Sequence, residues 1–461
     1  MLKRFLYLIL LLYSTAQAAA LPPAVTSALK QAQIPLQHTG IVVWDADRTT
    51  PYIGINSRRS FNPASTMKLV TSYAALNLLG PAYTWPTDIS TDGKLHDGIL
   101  DGNLYMKGYG DPSLNIERFW LLVHQLRQLG LKQINGDLII DQSRFRLDPI
   151  GDFDDHPHHA YNAHPAALMV NFNSTTINTA IHGSEIRLTA EPLPSNTRVI
   201  NQLTLDNAAP CSEWRDQIHS TWQADTRQLS ISGTYPAACG DKTFAVTLGD
   251  ASELVAGLFS TFWKNEGGLF NGKWHTGNTP DDAQLLMTYT SPPLVQAIYD
   301  LNKFSNNIMA RNLFLSLSEA DTASTAKSIG IVTDWLRQQH LDFPELVLEN
   351  GAGLSRIERI APDSMAQLLR SAYRSPFYPE LASALPIVAV DGTMKKRGKT
   401  DLVAAHAHIK TGTLDNVKTM AGYVTTQAGH QVIVVFFIND PHASAGGPAQ
   451  DALLEWIYQQ K

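Results

Sequence analysis

Apolar and polar positions alternate in some parts of the chain and recur every three to four residues in others, and the switches between the two patterns divide it. Gly40-Ile41-Val42-Val43-Trp44, a polar turn over 45–50 and Tyr52 to Ile55 read as a hairpin. Asn62-Pro63 then opens, and Gly80-Pro81 closes, a helix with Met67, Val70, Tyr73, Ala74 and Leu78 on its apolar side. From Thr84 to about Trp274 the texture changes. Short alternating segments such as Leu104-Tyr105-Met106, Asp137-Leu138-Ile139-Ile140, Gln228-Leu229-Ser230-Ile231 and Phe244-Ala245-Val246-Thr247-Leu248 are split by Gly, Asn and Asp turns, which predicts a mainly β region with a helix over 116–129. The helical period returns at 294–301, 308–317 and 329–339. Strands over 408–411, 420–425 and 431–438 follow, then a last helix over 447–460. The simplest assembly pairs the first hairpin with the last strands in one antiparallel sheet covered by helices. That makes an α/β (α+β) domain, with the β-rich middle inserted into it.

Composition narrows the class. A chain of 461 residues is too long for one small core. Its 44% hydrophobic content and net charge of −6 argue against disorder, and 36 Lys+Arg against 42 Asp+Glu lack the basic excess of a nucleic-acid binder. At the start, Lys3 and Arg4 precede an apolar run, Phe5 to Tyr13, and Ala16-Gln17-Ala18 fits a small-x-small cleavage site. Residues 1–18 therefore read as a cleavable export signal. No later stretch reaches the ~18 consecutive apolar residues of a membrane span, so the exported protein is expected to be soluble. In an oxidising compartment Cys211 and Cys239 should form one disulfide, contributing on the order of 3 kcal/mol.

A serine becomes a nucleophile when a base within hydrogen-bond reach takes its proton, and Ser-x-x-Lys on a helix puts an amine beside the hydroxyl. Three such pairs occur: Ser27/Lys30, Ser65/Lys68 and Ser324/Lys327. Alone, each is an ordinary solvated helix face. The fuller constellation adds Ser-x-Asn and Lys-Thr-Gly. Lys410-Thr411-Gly412 is the one Lys-Thr-Gly and precedes a strand hairpin, the context of a cleft edge. Ser-x-Asn occurs as Ser113-Leu114-Asn115, in a Gly-rich turn of the β region, and as Ser305-Asn306-Asn307, closing a helix. Ser305 is selected on that context. Ser65 is then selected because it precedes both other motifs and starts a buried helix, whose N-terminus favours developing negative charge.

These motifs, in this order, resemble the D-alanyl-D-alanine carboxypeptidase/endopeptidases of the low-molecular-mass, class C penicillin-binding kind, serine peptidases of the S13 type. The surroundings Asn62-Pro63-Ala64-Ser65-Thr66-Met67-Lys68, Gly110-Asp111-Pro112, Glu349 to Arg356, Asp391-Gly392-Thr393-Met394 and His408 to Thr413 carry the likeness. So does the long stretch between Ser65 and Ser305, which class A β-lactamases lack. Asn350 departs from the family's acidic Asp-Gly-Ser-Gly-Leu pattern. The resemblance implies a penicillin-binding transpeptidase-like/β-lactamase-like catalytic domain in two parts, 19–84 and 277–461, interrupted over 85–276 by a mainly β insertion of two subdomains.

It also implies the chemistry: acyl transfer at a D-Ala-D-Ala-type bond, with Ser65 as nucleophile, Lys68 as its base and Ser305 as proton relay. Asn307 would hold the substrate amide. Lys410, Thr411 and Thr413 would bind the terminal carboxylate beside Gly412, and the N–H groups of Ser65 and Thr413 would form the oxyanion hole. Asp141, in the insertion, is a candidate for recognising a free amine of the substrate, against the plainer reading of a strand-end turn. No cofactor or metal is called for. The His- and Asp-dense segment 152–164 could ligate a metal, as in a zinc hydrolase, but it holds no helical His-x-x-x-His pair with a neighbouring Glu and Pro157 interrupts it, so it reads as a flexible loop. Expected partners are peptidoglycan stem peptides and, as covalent inhibitors, β-lactams, in the periplasm; the oligomeric state stays open. A β-lactamase, and a penicillin-binding sensor or scaffold without turnover, are the alternatives.

Overall fold

Strand β1 (Thr39–Asp45) is buried along its whole length because it lies inside a sheet. That sheet has five strands in the order β3-β4-β5-β1-β2, where β2 is Ile53–Ile55, β3 is Ala407–Leu414, β4 is Val417–Thr425 and β5 is Gln431–Asn439. Every pairing is antiparallel, so the first hairpin and the last three strands close one sheet, as their alternation suggests. The computed structural model describes residues 20–147, 151, 153–194, 197–212, 214–318, 322–398 and 401–460. The export signal read at 1–18 lies outside them.

Period-two alternation gives the sheet two apolar faces, and helices cover both. On one face Val42, Trp44, Ala421, Tyr423, Val435 and Phe437 pack against α2 (Lys68–Leu78), α3 (Leu294–Lys303), α4 (Asn307–Ser316) and α5 (Pro362–Tyr373). On the other, Ile41, Val43, Ile409, Met420, Val434 and Phe436 pack against α1 (Pro23–Gln31) and α6 (Gly447–Tyr458) through Val25, Leu29, Leu453, Leu454 and Ile457. Among the described residues no helix is long and apolar enough to cross a membrane.

Between α2 and α3 the chain leaves this sheet. One lobe joins strands Pro86–Thr91, Leu104–Gly108, Leu138–Asp141, Trp274–Thr276 and Gln284–Thr290 to helices Ile116–Gln128 and Ala251–Asn265 around a core of Ile89, Met106, Phe119, Ile140 and Phe259. A second lobe has two three-stranded sheets over a small core that includes Ile177, Leu229, Ile231 and Phe244. Cys211 and Cys239 are bonded there, staple-like beside a core too small to do much alone.

Among the described residues four helices escape the sequence reading: Ala251–Asn265, Pro362–Tyr373, Tyr378–Ala384 and Pro23–Gln31. The first has a legible start, since Asp250 caps the Ser252 N–H. A second difference bears on chemistry. The helix expected to open at Asn62-Pro63 begins with a 3-10 turn, Ala64–Met67, and becomes α-helical only at Lys68. The Asn62 side chain accepts the Ala64 N–H and donates to the Ser355 carbonyl, fixing the entry against another segment, with Ala64 at φ 45°. In a 3-10 turn residues three apart eclipse, which stacks Lys68 on Ser65.

Candidate active site

Lys68 is wholly buried, and its Nζ lies 2.9 Å from Ser65 Oγ, 2.6 Å from Asn307 Oδ1 and 2.5 Å from the Ala352 carbonyl. The two carbonyl-type oxygens can only accept. A neutral amine meets them with its two N–H groups and turns its lone pair toward the Ser65 hydroxyl, the arrangement of a base beside its nucleophile. Burial, then the Lys410 charge, push the Lys68 pKa well below the ordinary lysine range, with a smaller contribution from Arg311; the Glu358 carboxylate opposes this.

Ala352 is held in place by Glu358, which the sequence did not single out. Its wholly buried Oε1 accepts the N–H groups of Glu349, Asn350 and Gly351, shaping the loop whose next carbonyl faces Lys68. Asn350, despite its departure from the acidic pattern, completes the loop by accepting the Ala352 N–H and donating to the Leu354 carbonyl.

Ser305 sits between α3 and α4 at φ 56°, and Asn306 caps α4 by accepting the Met309 N–H, so Asn307 starts the helix facing Lys68. Lys410, on β3 and also wholly buried, donates to Ser305 Oγ at 2.8 Å and to the Thr411 carbonyl at 2.9 Å. Burial lowers its pKa to about 7. Thr411 Oγ1 lies 2.8 Å from Thr393 Oγ1, and Thr413 is exposed.

The cleft runs along the free edge of β3. Ile409 donates its N–H to Pro386, off the outer edge of the strand. By the period of two, the N–H groups of Thr411 and Thr413 face the same way, into the cleft. Gly412 lets the strand come close: a Cβ there would lie 2.4 Å from Thr419 Oγ1 and 2.7 Å from the Ser65 nitrogen. Gly412→Ala must therefore push β3 away from Ser65, and a shift of this size is expected to slow acylation by a penicillin about 100-fold. Stopped-flow acylation checks this, and a wild-type rate in a folded variant would show that the close approach is not required.

Two spaces that share Asn307 and Thr413 in their linings lie at this site. One, about 420 Å³, is lined by Ser65, Ser305, Thr393, Thr411, Thr413 and Lys418. The other, about 610 Å³, lies across Asn307 and Thr413 and is lined by Phe153, Asp154, Tyr161, Leu354 and Asp415.

The remaining candidates fall elsewhere. Ser324 caps its helix through the Lys327 N–H while Lys327 Nζ donates to Thr322 in solvent, and Ser27 and Lys30 are exposed. Asn115 caps the insertion helix, leaving Ser113 buried beneath it. Asp141 does not face the cleft. It is fully buried at a strand end, where it accepts the Thr279 and Ser143 N–H groups, so it is a structural turn residue. The insertion's acid in the cleft wall is Asp154 instead. The segment read as a flexible loop folds around it: Asp154 accepts from Tyr161 Oη, Asn162 Nδ2 and the His156 N–H, and these bonds hold its pKa low against the opposing effect of burial.

A family model described as D-Ala-D-Ala carboxypeptidase 3 (S13) matches residues 21–460. The chain is 28% identical over 387 residues to the D-alanyl-D-alanine carboxypeptidase DacB of Haemophilus influenzae, covering 82% of this chain and 80% of that protein. It is 26% identical over 437 residues to a D-alanyl-D-alanine carboxypeptidase of an Actinomadura species, covering 91% and 80%. In fold it is similar to the crystal structure of penicillin binding protein 4 from Haemophilus influenzae, with TM-score 0.80, 24% identity and coverage of 95% of this chain and 99% of that one. A predatory endopeptidase from Bdellovibrio bacteriovorus shares the fold more loosely, with TM-score 0.54, 15% identity and coverage of 90% and 89%.

Proposed function

Since the chain belongs to the D-Ala-D-Ala carboxypeptidase 3 (S13) family of serine hydrolases, we propose that its own residues divide the hydrolysis of a D-Ala-D-Ala bond as follows. Neutral Lys68 takes the Ser65 proton as Oγ attacks the carbonyl carbon. The oxyanion forms between the N–H groups of Ser65 and Thr413, a contribution of about 3 kcal/mol per donor. Asn307, whose Oδ1 is engaged by Lys68, turns its amide N–H groups to the substrate carbonyl. Ser305, with Lys410 beside it, relays the Ser65 proton from Lys68 to the departing amine, so that Lys68 is neutral again and free D-alanine leaves with its carboxylate held by Thr411 and Thr413. Water then adds to the Ser65 ester as neutral Lys68 takes its proton, and Lys68 returns that proton to Ser65 Oγ as the shortened peptide departs. A β-lactam acylates Ser65 in the same way and leaves a persistent ester.

The single observation that carries this reading is the buried, doubly hydrogen-bonded Lys68 amine facing Ser65 Oγ. Stem peptides of peptidoglycan are the proposed substrates, which agrees with the names of a D-alanyl-D-alanine carboxypeptidase and a peptidoglycan endopeptidase among the similar proteins and with the export signal read at residues 1–18. Asp154 replaces Asp141 as the acid offered to an amine on the acyl side of the peptide, because it lines the space across Asn307 from Ser305. The two-part catalytic domain and β-rich insertion fit this division, the insertion supplying Asp154 and Tyr161 to the wall. Release of D-alanine from a pentapeptide, measured beside cleavage of a crosslinked muropeptide dimer, tests the proposal. A protein that binds penicillin covalently yet releases neither product would be a sensor, and rapid turnover of the penicillin would make it a β-lactamase.

A further inference from the structure

The space on the leaving-group side of Ser65, about 420 Å³, is far larger than one alanine needs, and its far wall is cationic. Lys418 pairs in register with Thr413 across β3 and β4, so both side chains project from the same face of the sheet. Arg397 lines the same wall, but its guanidinium is committed to Asp451 and to the Gly447 carbonyl. Lys418 is half-buried, and no carboxylate pairs with its ammonium among the described residues. Burial and the Arg397 charge press its pKa below the ordinary lysine range, with Asp451 opposing. An unpaired, partly desolvated cation gains most from an anion that arrives with the ligand.

Resting on the function proposed above, we propose that Lys418 forms a second anion subsite, which reads a carboxylate beyond the one held by Thr411 and Thr413. Free D-alanine has a single carboxylate and cannot use it. A leaving group that is itself a peptide, as in a crosslinked dimer, carries another at its own C-terminus. The subsite therefore favours cleavage of crosslinks over trimming of single stems.

The test compares two crosslinked muropeptide dimers, one with that terminal carboxylate free and one with it converted to the amide, each cleaved by wild type, Lys418→Gln and Lys418→Arg. Active sites are titrated with penicillin, so that only folded enzyme is counted. Wild type and Lys418→Arg are expected to cleave the free acid about fivefold faster in kcat/KM than the amide, on the scale of one partly exposed charge pair. Lys418→Gln should cleave the two at equal rates. Equal rates in wild type, or an unchanged preference in Lys418→Gln, would overturn the subsite while leaving the peptidase reading intact. Failure of wild type to cleave either dimer or to release D-alanine from a pentapeptide would overturn both.

Discussion

Ser65→Ala is expected to abolish covalent labelling by a fluorescent penicillin and to cut D-alanine release at least about 10⁴-fold, the scale on which serine hydrolases respond to loss of the nucleophile. Ser324→Ala should leave both unchanged. Both serines stand three residues before a lysine, and only their surroundings differ. At Ser65 the amine is buried and its protons are already claimed by Asn307 and Ala352, whereas at Ser324 it is exposed and bonded to Thr322. Removing the Ser65 hydroxyl should not disturb packing, because Oγ bonds to Lys68 at the open side of the turn. Gel fluorescence after penicillin labelling checks the first part, and label retained by Ser65→Ala at wild-type stoichiometry would remove it from the role.

The second large effect concerns charge. Lys410→Gln should lower penicillin acylation at neutral pH by roughly 10²- to 10³-fold, because it removes a proton path and a charge at the carboxylate site. It should also move the acid limb of the acylation profile to higher pH. Lys68 acts as a base only when neutral, and after burial the Lys410 charge is the next largest influence holding its pKa down. Without that charge Lys68 binds its proton more tightly, so a higher pH is needed to free it. A limb that stayed in place or moved down would break the coupling of the two lysines.

Stability should respond in parallel. Lys410 has a folded pKa of about 7 against an unfolded value near that of free lysine. Between the two the unfolded state binds more protons, so this lysine makes the wild type gain stability as pH rises from about 7, at up to roughly 1 kcal/mol per pH unit. Lys410→Gln loses that gain, and melting curves across the window should show wild type rising in stability relative to the variant as pH increases.

Much of this site is legible in the residues themselves. Ser65, Lys68, Ser305, Asn307 and Lys410 follow from short motifs in a fixed order, and the fold gathers them at one cleft in two hydrogen-bonded groups, Lys68 with Ser65 and Asn307, and Lys410 with Ser305. Asp141 is not legible in the same way. Its place depends on how the insertion packs, and Ile139-Ile140-Asp141 ends a strand that runs beneath the surface of its own lobe. Asp154 is hidden in a segment whose His and Asp content suggests either a metal or a loose loop. Glu358 reads as one charge among several after a Gly-rich turn, because its three partners are backbone groups that leave no trace in composition.

Local chemistry alone is enough to place the strands of the five-stranded sheet, a helix after Asn62-Pro63 and the Ser-x-x-Lys, Ser-x-Asn and Lys-Thr-Gly motifs. Alternation, capping and i to i+3 spacing act over a few residues and are written in them directly. The depressed pKa of Lys68 and the acid and the cation that flank the cleft are different in kind. Each is an effect of burial or of a neighbour brought from far along the chain, Lys410 and Asn307 to Lys68, Asp154 to Thr413, Lys418 to Arg397. Desolvation and Coulomb energy depend on what surrounds a group in space, and only the folded chain decides that.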